Sequence, residues 1–141
     1  MYNIPMKTIG IIGSRRRDSK ADYKLLRKIF FEIYEDGDKI VSGHCPKGAD
    51  AMAELIADEF GLTEENEKLI LHRPEWDKYG KGAGFVRNTY IAEDADVLVS
   101  VVAADRTGGT EDTVKKAEKM GKQIVLVPQV PIEDFDPLED V

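Results

Sequence analysis

The stretch Val97-Leu98-Val99-Ser100-Val101-Val102, followed a few residues later by Gly108-Gly109-Thr110, decides the fold of this chain. The aliphatic run predicts a strand that is buried on both faces, as in a parallel sheet covered by helices. A helical pattern follows, and Thr110 is expected to cap its first turn. Glycines between a strand and a helix let backbone N–H groups approach a ligand, and the positive end of the helix dipole favours an anion. The stretch therefore predicts a binding site for a phosphate or another anion.

Strand and helix patterns alternate along the rest of the chain. We predict strands over residues 7–13, 39–42, 69–72, 96–102 and 123–127, helices over 19–36, 49–60, 85–93 and 111–120, and a glycine-rich loop over 76–84. Such alternation is typical of an α/β fold, here a three-layer Rossmann-like domain with a mainly parallel sheet of about five strands and helices on both faces. One domain is predicted over residues 1–128, and an acidic, irregular tail over 129–141.

The composition limits the expected partners and compartment. The net charge is −7, but five acids lie in the last nine residues, which hold no base, so the rest of the chain is nearly balanced. Long duplex nucleic acid needs a basic face, and nucleic acid is therefore not expected as a partner. Cys45 is the one cysteine, the N-terminus has no signal-peptide pattern, and no apolar run is long enough to cross a bilayer. We expect a cytoplasmic protein that does not bind a membrane.

Two further junctions between a strand and a helix carry similar chemistry. They are Gly13-Ser14-Arg15, and Ser42-Gly43 together with Gly48-Ala49-Asp50. In open parallel sheets the ligand lies outside the carboxyl ends of the strands, where the strand order reverses. All three junctions follow strands, so we expect them to meet at one edge of the sheet.

The side chains at these junctions have functional and structural interpretations. Arg15 is expected to bind a phosphate with its guanidinium fork, whereas Arg16 and Arg17 are expected to form a solvated charge run. The Ser42 hydroxyl would contact a phosphate or a ribose. Asp50 would accept a hydrogen bond from a ribose hydroxyl, or it would only add favourable charge at the start of a helix. Both interpretations of Asp50 stay open.

Two common nucleotide-binding fingerprints are absent. The chain has neither the dinucleotide motif Gly-x-Gly-x-x-Gly nor the P-loop motif Gly-x-x-x-x-Gly-Lys-Ser/Thr. An ordinary NAD dehydrogenase or P-loop nucleotidase is therefore not expected, and no cofactor is predicted. His44 and Cys45 are adjacent, and His72 is the one other histidine. These are too few ligands at workable spacing, so no metal site is predicted.

Four motifs in order give the chain a family resemblance. They are Ile11-Ile12-Gly13-Ser14-Arg15, the run 41–50, the pair of runs 76–80 and 83–88, and Gly108-Gly109-Thr110. With these motifs, residues 7–128 resemble the SLOG superfamily of Rossmann-like proteins and, within it, the YspA/YpsA-related group, with distant similarity to LOG-type phosphoribohydrolases and to DprA. The resemblance implies a site for a nucleotide or a nucleotide-derived small molecule, such as an ADP-ribose derivative. We expect a binding module or sensor that forms a homo-oligomer.

The expected ligand-binding residues lie at the three junctions and in the predicted helix over 85–93. They are Gly13, Ser14, Arg15, Ser42, Gly43, Gly48, Ala49, Asp50, Arg87, Asn88, Gly108, Gly109 and Thr110.

Arg87 needs a partner if it is buried in a helix. It would bind a phosphate or hold a carboxylate such as Asp77 or Glu111, and the structural alternative is an ion pair with Asp94 or Asp96. Three nearby aromatic side chains would either stack on a base or pack against the protein: Trp76, Tyr79 and Phe85.

The alternative function is that of an N-glycosidase acting on nucleoside 5′-monophosphates. The enzymes that the chain resembles carry Gly-Gly-x-Gly-Thr-x-x-Glu, whereas Thr113 stands here at the position of that glutamate. Glu111 or Asp112 would then serve as the catalytic acid. The structural alternative for both is favourable charge at the start of a helix.

Overall fold

Residues 6–130, which a computed structural model of the chain describes, contain one five-stranded parallel sheet. The strands lie in the order β3-β2-β1-β4-β5 and are β1 (Thr8–Gly13), β2 (Lys39–Ser42), β3 (Leu69–Leu71), β4 (Val97–Val101) and β5 (Gln123–Leu126). The helices are α1 (Lys20–Ile33), α2 (Ala49–Glu59), α3 (Trp76–Tyr79), α4 (Ala83–Asp94) and α5 (Gly109–Lys119). The predicted α/β, Rossmann-like fold is confirmed.

Helices cover both faces of the sheet because the strand side chains alternate between two apolar clusters. On β4, Val97, Val99 and Val101 pack with α1 and α2 in one cluster, whereas Leu98 packs with α4 and α5 in the other. Every residue of β4 is buried, as the aliphatic run predicts for a central strand of a covered sheet.

The order of the strands creates a crevice at the centre of the sheet. β1 pairs with both β2 and β4. From β1 the chain runs outward to β2 and β3, crosses back, and continues with β4 and β5 on the other side. The strand order therefore reverses between β1 and β4, and the connections that leave these strands lead to helices on opposite faces.

The first helix begins as predicted and ends earlier. The Ser19 side chain accepts a hydrogen bond from the Asp22 N–H, and the Asp22 carboxylate accepts from the Ser19 N–H, so the predicted capping box forms. α1 ends at Ile33, before the glycine stop that Gly37 suggested. Gly37 instead has a positive φ of 95° in the turn that leads to β2.

The prediction of a loop over residues 76–84 is wrong. α3, a 3₁₀ turn over Gly80–Gly82 and the start of α4 fill this segment. Ala83 is buried and begins α4 two residues before the predicted start, so packing overrides the low helix propensity of the neighbouring glycines. Gly80, with a φ of 57°, makes the turn after α3.

The chain leaves β5 at the carboxyl edge of the sheet. The Gln129 side chain donates to the Val102 carbonyl at 2.8 Å. The predicted acidic tail lies outside the described residues from position 131 onward. Across residues 6–130, every helix is too short or too polar to cross a membrane.

Candidate functional site

A cavity of about 350 Å³ opens at the carboxyl edge of the sheet, between the ends of β1 and β4. Its walls come from the β1–α1 turn (14–19), the β2–α2 turn (43–48), the β4–α5 turn (102–108), the first turn of α2, the middle of α4 and the first two turns of α5. The lining residues are Ile12, Gly13, Ser14, Arg15, Arg16, Cys45, Asp50, Arg87, Asn88, Ile91, Thr107, Gly108, Gly109, Thr110 and Thr113.

The three predicted junctions do meet at this cavity, although some of their residues face elsewhere. The predicted residues that line it are Gly13, Ser14, Arg15, Asp50, Arg87, Asn88, Gly108, Gly109 and Thr110. Those that do not line it all lie around the β2–α2 turn, and they are Ser42, Gly43, Gly48 and Ala49.

The β4–α5 turn leaves the start of α5 open. α5 begins at Gly109, and its N-cap is Gly108, which has a φ of 110° and no capping side chain. Thr110 therefore lies inside the first turn, and its predicted role as the cap is wrong. A Cβ at Gly108 or Gly109 would meet no atom within 4 Å. The first N–H groups of α5 are thus left for a ligand in the cavity.

Three consecutive arginines after β1 have three different settings. Arg15 is exposed, lines the cavity and makes no hydrogen bond or ion pair within residues 6–130. Arg16 donates to both Asp105 carboxylate oxygens at 2.8 and 2.9 Å and to the Thr107 carbonyl at 2.9 Å. Hydrogen bonds from Arg16 and Thr107 hold the pKa of Asp105 well below its usual range. Arg16 thus ties the β1–α1 turn to the β4–α5 turn.

Arg17 is buried, so the prediction of a solvated side chain is wrong. Its guanidinium donates to Asp22 at 2.9 Å, to the Val127 carbonyl at 2.9 Å and to the Pro128 carbonyl at 2.6 Å. A buried arginine requires such complete pairing. Arg17 thus joins the β1–α1 turn to the chain that leaves β5.

The β2–α2 turn is filled by groups of the protein itself. Ser42 is fully buried, and its Oγ lies 2.6 Å from the Ile11 carbonyl and 3.1 Å from Asp50 Oδ1. The predicted contact between Ser42 and a ligand is therefore wrong. A Cβ at Gly43 would lie 2.6 Å from an Arg87 nitrogen, and one at Gly48 would lie 2.9 Å from the Ser14 carbonyl.

Asp50 is the acid on the cavity wall. It is 7% exposed, and Oδ2 accepts from the Cys45 N–H at 3.1 Å. Burial raises the pKa of Asp50, although the Cys45 N–H and the Arg87 charge act in the opposite direction. Asp50 makes these contacts to the turn before α2, so its role exceeds the favourable charge at a helix start that was one interpretation.

Arg87 has none of its four predicted carboxylate partners. It donates through Nη1 to the Gly43 carbonyl at 2.6 Å and through Nε to Asn88 Oδ1 at 2.9 Å. Asn88 Nδ2 lies 3.3 Å from the Gly109 carbonyl. The two residues therefore connect the β2–α2 turn with the start of α5 across the cavity.

The two candidate catalytic acids, Glu111 and Asp112, do not line the cavity. Glu111 pairs with Arg106 at 2.8 Å, and Asp112 pairs with Lys116 at 2.8 Å. Thr113, at the position where the resembling enzymes carry a glutamate, does line the cavity. The geometry thus leaves that wall without a carboxylate.

The sequence did not single out several lining residues, although some signals were present. Ile91 and Thr113 lie one helical turn beyond Arg87 and Gly109, on the same helix faces. Arg16, Cys45 and Thr107 lie in the three turns themselves. The aromatic side chains offered for stacking, Trp76, Tyr79 and Phe85, do not line the cavity, and Trp76 and Phe85 are exposed.

Comparison with protein families and curated proteins gives little at the sequence level. No family model matches the chain. The "Gene 61 protein" of Mycobacterium phage D29 is 32% identical over 82 residues, which are 56% of this chain and 63% of the phage protein. The match thus spans less than two thirds of that relative.

Solved structures share the fold over most of the chain. DNA processing protein A from Streptococcus pneumoniae has a TM-score of 0.70 at 20% identity over 91% of this chain, which spans about half (52%) of that protein. DNA processing protein A from Helicobacter pylori, solved for its single-stranded DNA binding mode, has a TM-score of 0.67 at 19% identity over 95% of this chain and 70% of that one.

A molybdenum cofactor carrier protein from Chlamydomonas reinhardtii has a TM-score of 0.60 at 21% identity over 86% of this chain and 76% of that one.

The expectation that nucleic acid is not a partner is wrong, because a protein of the same fold binds single-stranded DNA. That expectation was drawn from the net charge of the chain, and net charge does not give the local charge of a single cleft. The chain shares a Rossmann-like fold with these solved structures.

Proposed function

We propose that this chain binds a nucleotide or a nucleotide-derived small molecule in the cavity between β1 and β4, as a binding module or sensor. The observation that carries the proposal is the meeting of two unsatisfied features in one cavity. Arg15 has no partner within residues 6–130, and the start of α5 has no cap. Both favour a negatively charged group.

The phosphate would lie at the start of α5. Backbone N–H groups of Gly109 and Thr110 and the helix dipole would bind it from one side. Arg15 would bind it from the other side with a charge-assisted hydrogen bond, worth about 1.5–3 kcal/mol. The open space at Gly108 and Gly109 lets an oxygen atom approach the backbone.

The rest of the ligand would extend toward α2 and α4. The cavity volume of about 350 Å³ lies at the lower end of the range for small-molecule sites, roughly 300–1,000 Å³. Asp50 offers carboxylate oxygens to a sugar or a base, and Arg87 adds a further cation. The Asn88 amide N–H groups already donate to the Gly109 carbonyl and to Asp112. Binding is favoured over N-glycoside hydrolysis because Glu111 and Asp112 are paired outside the cavity.

Arg15→Ala tests the proposal. We expect thermal-shift and calorimetric binding of AMP, cyclic nucleotides, ADP-ribose or inorganic phosphate by the wild type, and about 10- to 100-fold weaker binding by the variant. Saturation at about 100 times Kd would add roughly 2.7 kcal/mol to the free energy of unfolding. The matched control is Arg73→Ala, which removes an exposed arginine that pairs with Glu64 outside the cavity. Equal losses in both variants, or no binding by the wild type, would contradict the proposal.

Single-stranded DNA is a second candidate ligand. The observation that favours it is the likeness to the Helicobacter pylori protein over 95% of this chain, and its phosphates would suit the same cations. Anisotropy of a labelled oligothymidylate tests this candidate, with AMP as the competitor. We expect affinity to fall with salt and with Arg15→Ala. An oligonucleotide that excess AMP fails to displace would not use this cavity.

A further inference from the structure

Asp50 presents a problem for an anion site. Among the residues that line the cavity, it is the one with a carboxyl group, and it is 7% exposed. An ionised carboxylate on the wall would repel an incoming anion, and little solvent is present to screen the repulsion. The protonation state of Asp50 therefore bears directly on what the cavity can bind.

The protons around Ser42 indicate how this repulsion is removed. Ser42 Oγ is fully buried and lies between two acceptors, the Ile11 carbonyl at 2.6 Å and Asp50 Oδ1 at 3.1 Å. A hydroxyl has one proton to donate, and the shorter distance assigns it to Ile11. A lone pair of Ser42 then faces Asp50 Oδ1. This contact becomes a hydrogen bond when Asp50 carries a proton and donates it to Ser42.

We propose that the cavity binds its anion together with a proton, which Asp50 takes up from solvent as the anion enters. Asp50 then donates to Ser42, Ser42 donates to Ile11, and Oδ2 still accepts from the Cys45 N–H. The negative charge leaves the wall while the cations remain. The inference rests on the proposed function, because it requires an anion in this cavity.

The groups that face Asp50 from its own helix and from α4 act in both directions. Burial raises the pKa of Asp50 in the free protein, and the Cys45 N–H, the Arg87 guanidinium and any hydrogen bond that Ser42 donates to Asp50 lower it. Glu54, one turn further along α2, raises the pKa of Asp50. Glu54 itself lies 3.0 Å from His44 Nδ1.

The β1–α1 turn adds further charges. Asp18 accepts from the Gly48 N–H at 2.9 Å at the start of α2. Arg15 and Arg16 lie on the wall that the turn forms. An entering dianion would raise the pKa of Asp50 beyond its free value, because like charges disfavour the ionised form.

The sign of the pH dependence follows from this difference. Below the pKa of Asp50 in the free protein, Asp50 is protonated with or without ligand, and affinity is at its upper plateau. Between the free and bound pKa values, binding takes up a proton, so Kd rises with pH by up to about tenfold per pH unit. Above the bound value, affinity reaches a lower plateau.

Calorimetry with sulfate tests the inference, since sulfate stays a dianion over the relevant range while a phosphate monoester takes up protons itself. Titrations in two buffers with different ionisation heats, between about pH 4 and 8, give the number of protons taken up. We expect uptake by the wild type and none by Asp50→Asn, whose amide can donate to Ser42 as the protonated acid does. Glu54→Gln, a carboxylate on the same helix but outside the cavity lining, should retain the uptake.

Each outcome decides between the inference and the proposed function. Sulfate binding without proton uptake, or uptake that persists in Asp50→Asn, overturns the inference alone. If neither sulfate nor AMP binds at any pH, the proposed function fails and the inference fails with it. If Asp50→Asn does not fold, carboxyl ¹³C NMR of the wild type replaces it, and an Asp50 pKa that sulfate does not raise overturns the inference.

Discussion

The β2–α2 turn and the β4–α5 turn begin alike and end differently. Each follows a central strand and leads through a glycine with positive φ, Gly48 or Gly108, into a helix without a side-chain cap. The first turn is closed by the protein's own atoms, since a Cβ at Gly48 would lie 2.9 Å from the Ser14 carbonyl. The second turn is open, with no atom within 4 Å of a Cβ at Gly108.

The same difference holds for charge. At the start of α2, the Asp18 carboxylate accepts from the Gly48 N–H at 2.9 Å, so the protein supplies its own anion there. Within residues 6–130, no carboxylate accepts from Gly109 or Thr110 at the start of α5, where Glu111 pairs with Arg106 and Asp112 with Lys116. At one edge of the sheet, one helix start thus has an internal anion and a second is open to an external one, and this contrast supports the position proposed for the phosphate.

The glycines give the largest expected contrast. Gly48→Ala places a side chain at a φ of 73° and against a backbone carbonyl, and should lower the free energy of unfolding by about 2–4 kcal/mol through strain and overpacking. Gly109→Ala meets open space and should leave stability unchanged or raise it by up to about 1 kcal/mol, while it weakens AMP binding on the order of tenfold. Urea unfolding and calorimetry measure the two effects. A destabilised Gly109→Ala with normal affinity would reverse the comparison.

Hydroxyl deletions give a smaller contrast. Ser42→Ala removes a fully buried group and leaves the Ile11 carbonyl without its donor, at a cost of about 1–3 kcal/mol. Thr107→Ala removes an exposed hydroxyl from the β4–α5 turn and should change stability by less than about 0.5 kcal/mol. Chemical denaturation of both variants checks this. Similar losses would mean that the second turn is as tightly integrated as the first.

The fold was predictable because its signals are local. The alternating apolar runs and the capping box at Ser19 depend on residues close in sequence, and both formed as expected. The ion pair of Asp112 with Lys116 also had a sequence signal, the i, i+4 spacing. The open glycines of the β4–α5 turn, and Arg15, which has no partner among the described residues, were found from their places after strands.

The predictions that were wrong concern residues whose partners are distant in sequence. Arg17 can be buried because distant carbonyls accept hydrogen bonds from its guanidinium, including that of Val127, 110 residues along the chain. The residues next to Arg17 in the sequence give no signal of these partners. Gly48 satisfies the same pattern whether a ligand or the chain itself approaches, so the sequence cannot separate a closed turn from an open one. Ser42 was assigned to a ligand for the same reason, although its hydroxyl already donates to the Ile11 carbonyl.

Arg16 gives the smallest expected effect and the finest test of the open turn. It joins the β1–α1 turn to Asp105 and Thr107 with exposed hydrogen bonds, so Arg16→Ala should leave the unfolding midpoint within error, because exposed ion pairs contribute little. The β4–α5 turn would then have to be ordered by the ligand, and AMP affinity should fall about two- to tenfold. Asp105→Asn, which weakens the same link without removing a cation from the cavity, separates ordering from charge: a loss equal to that of Arg16→Ala supports ordering. If only Arg16→Ala loses affinity, Arg16 contacts the anion directly, and the open turn holds its shape without this link.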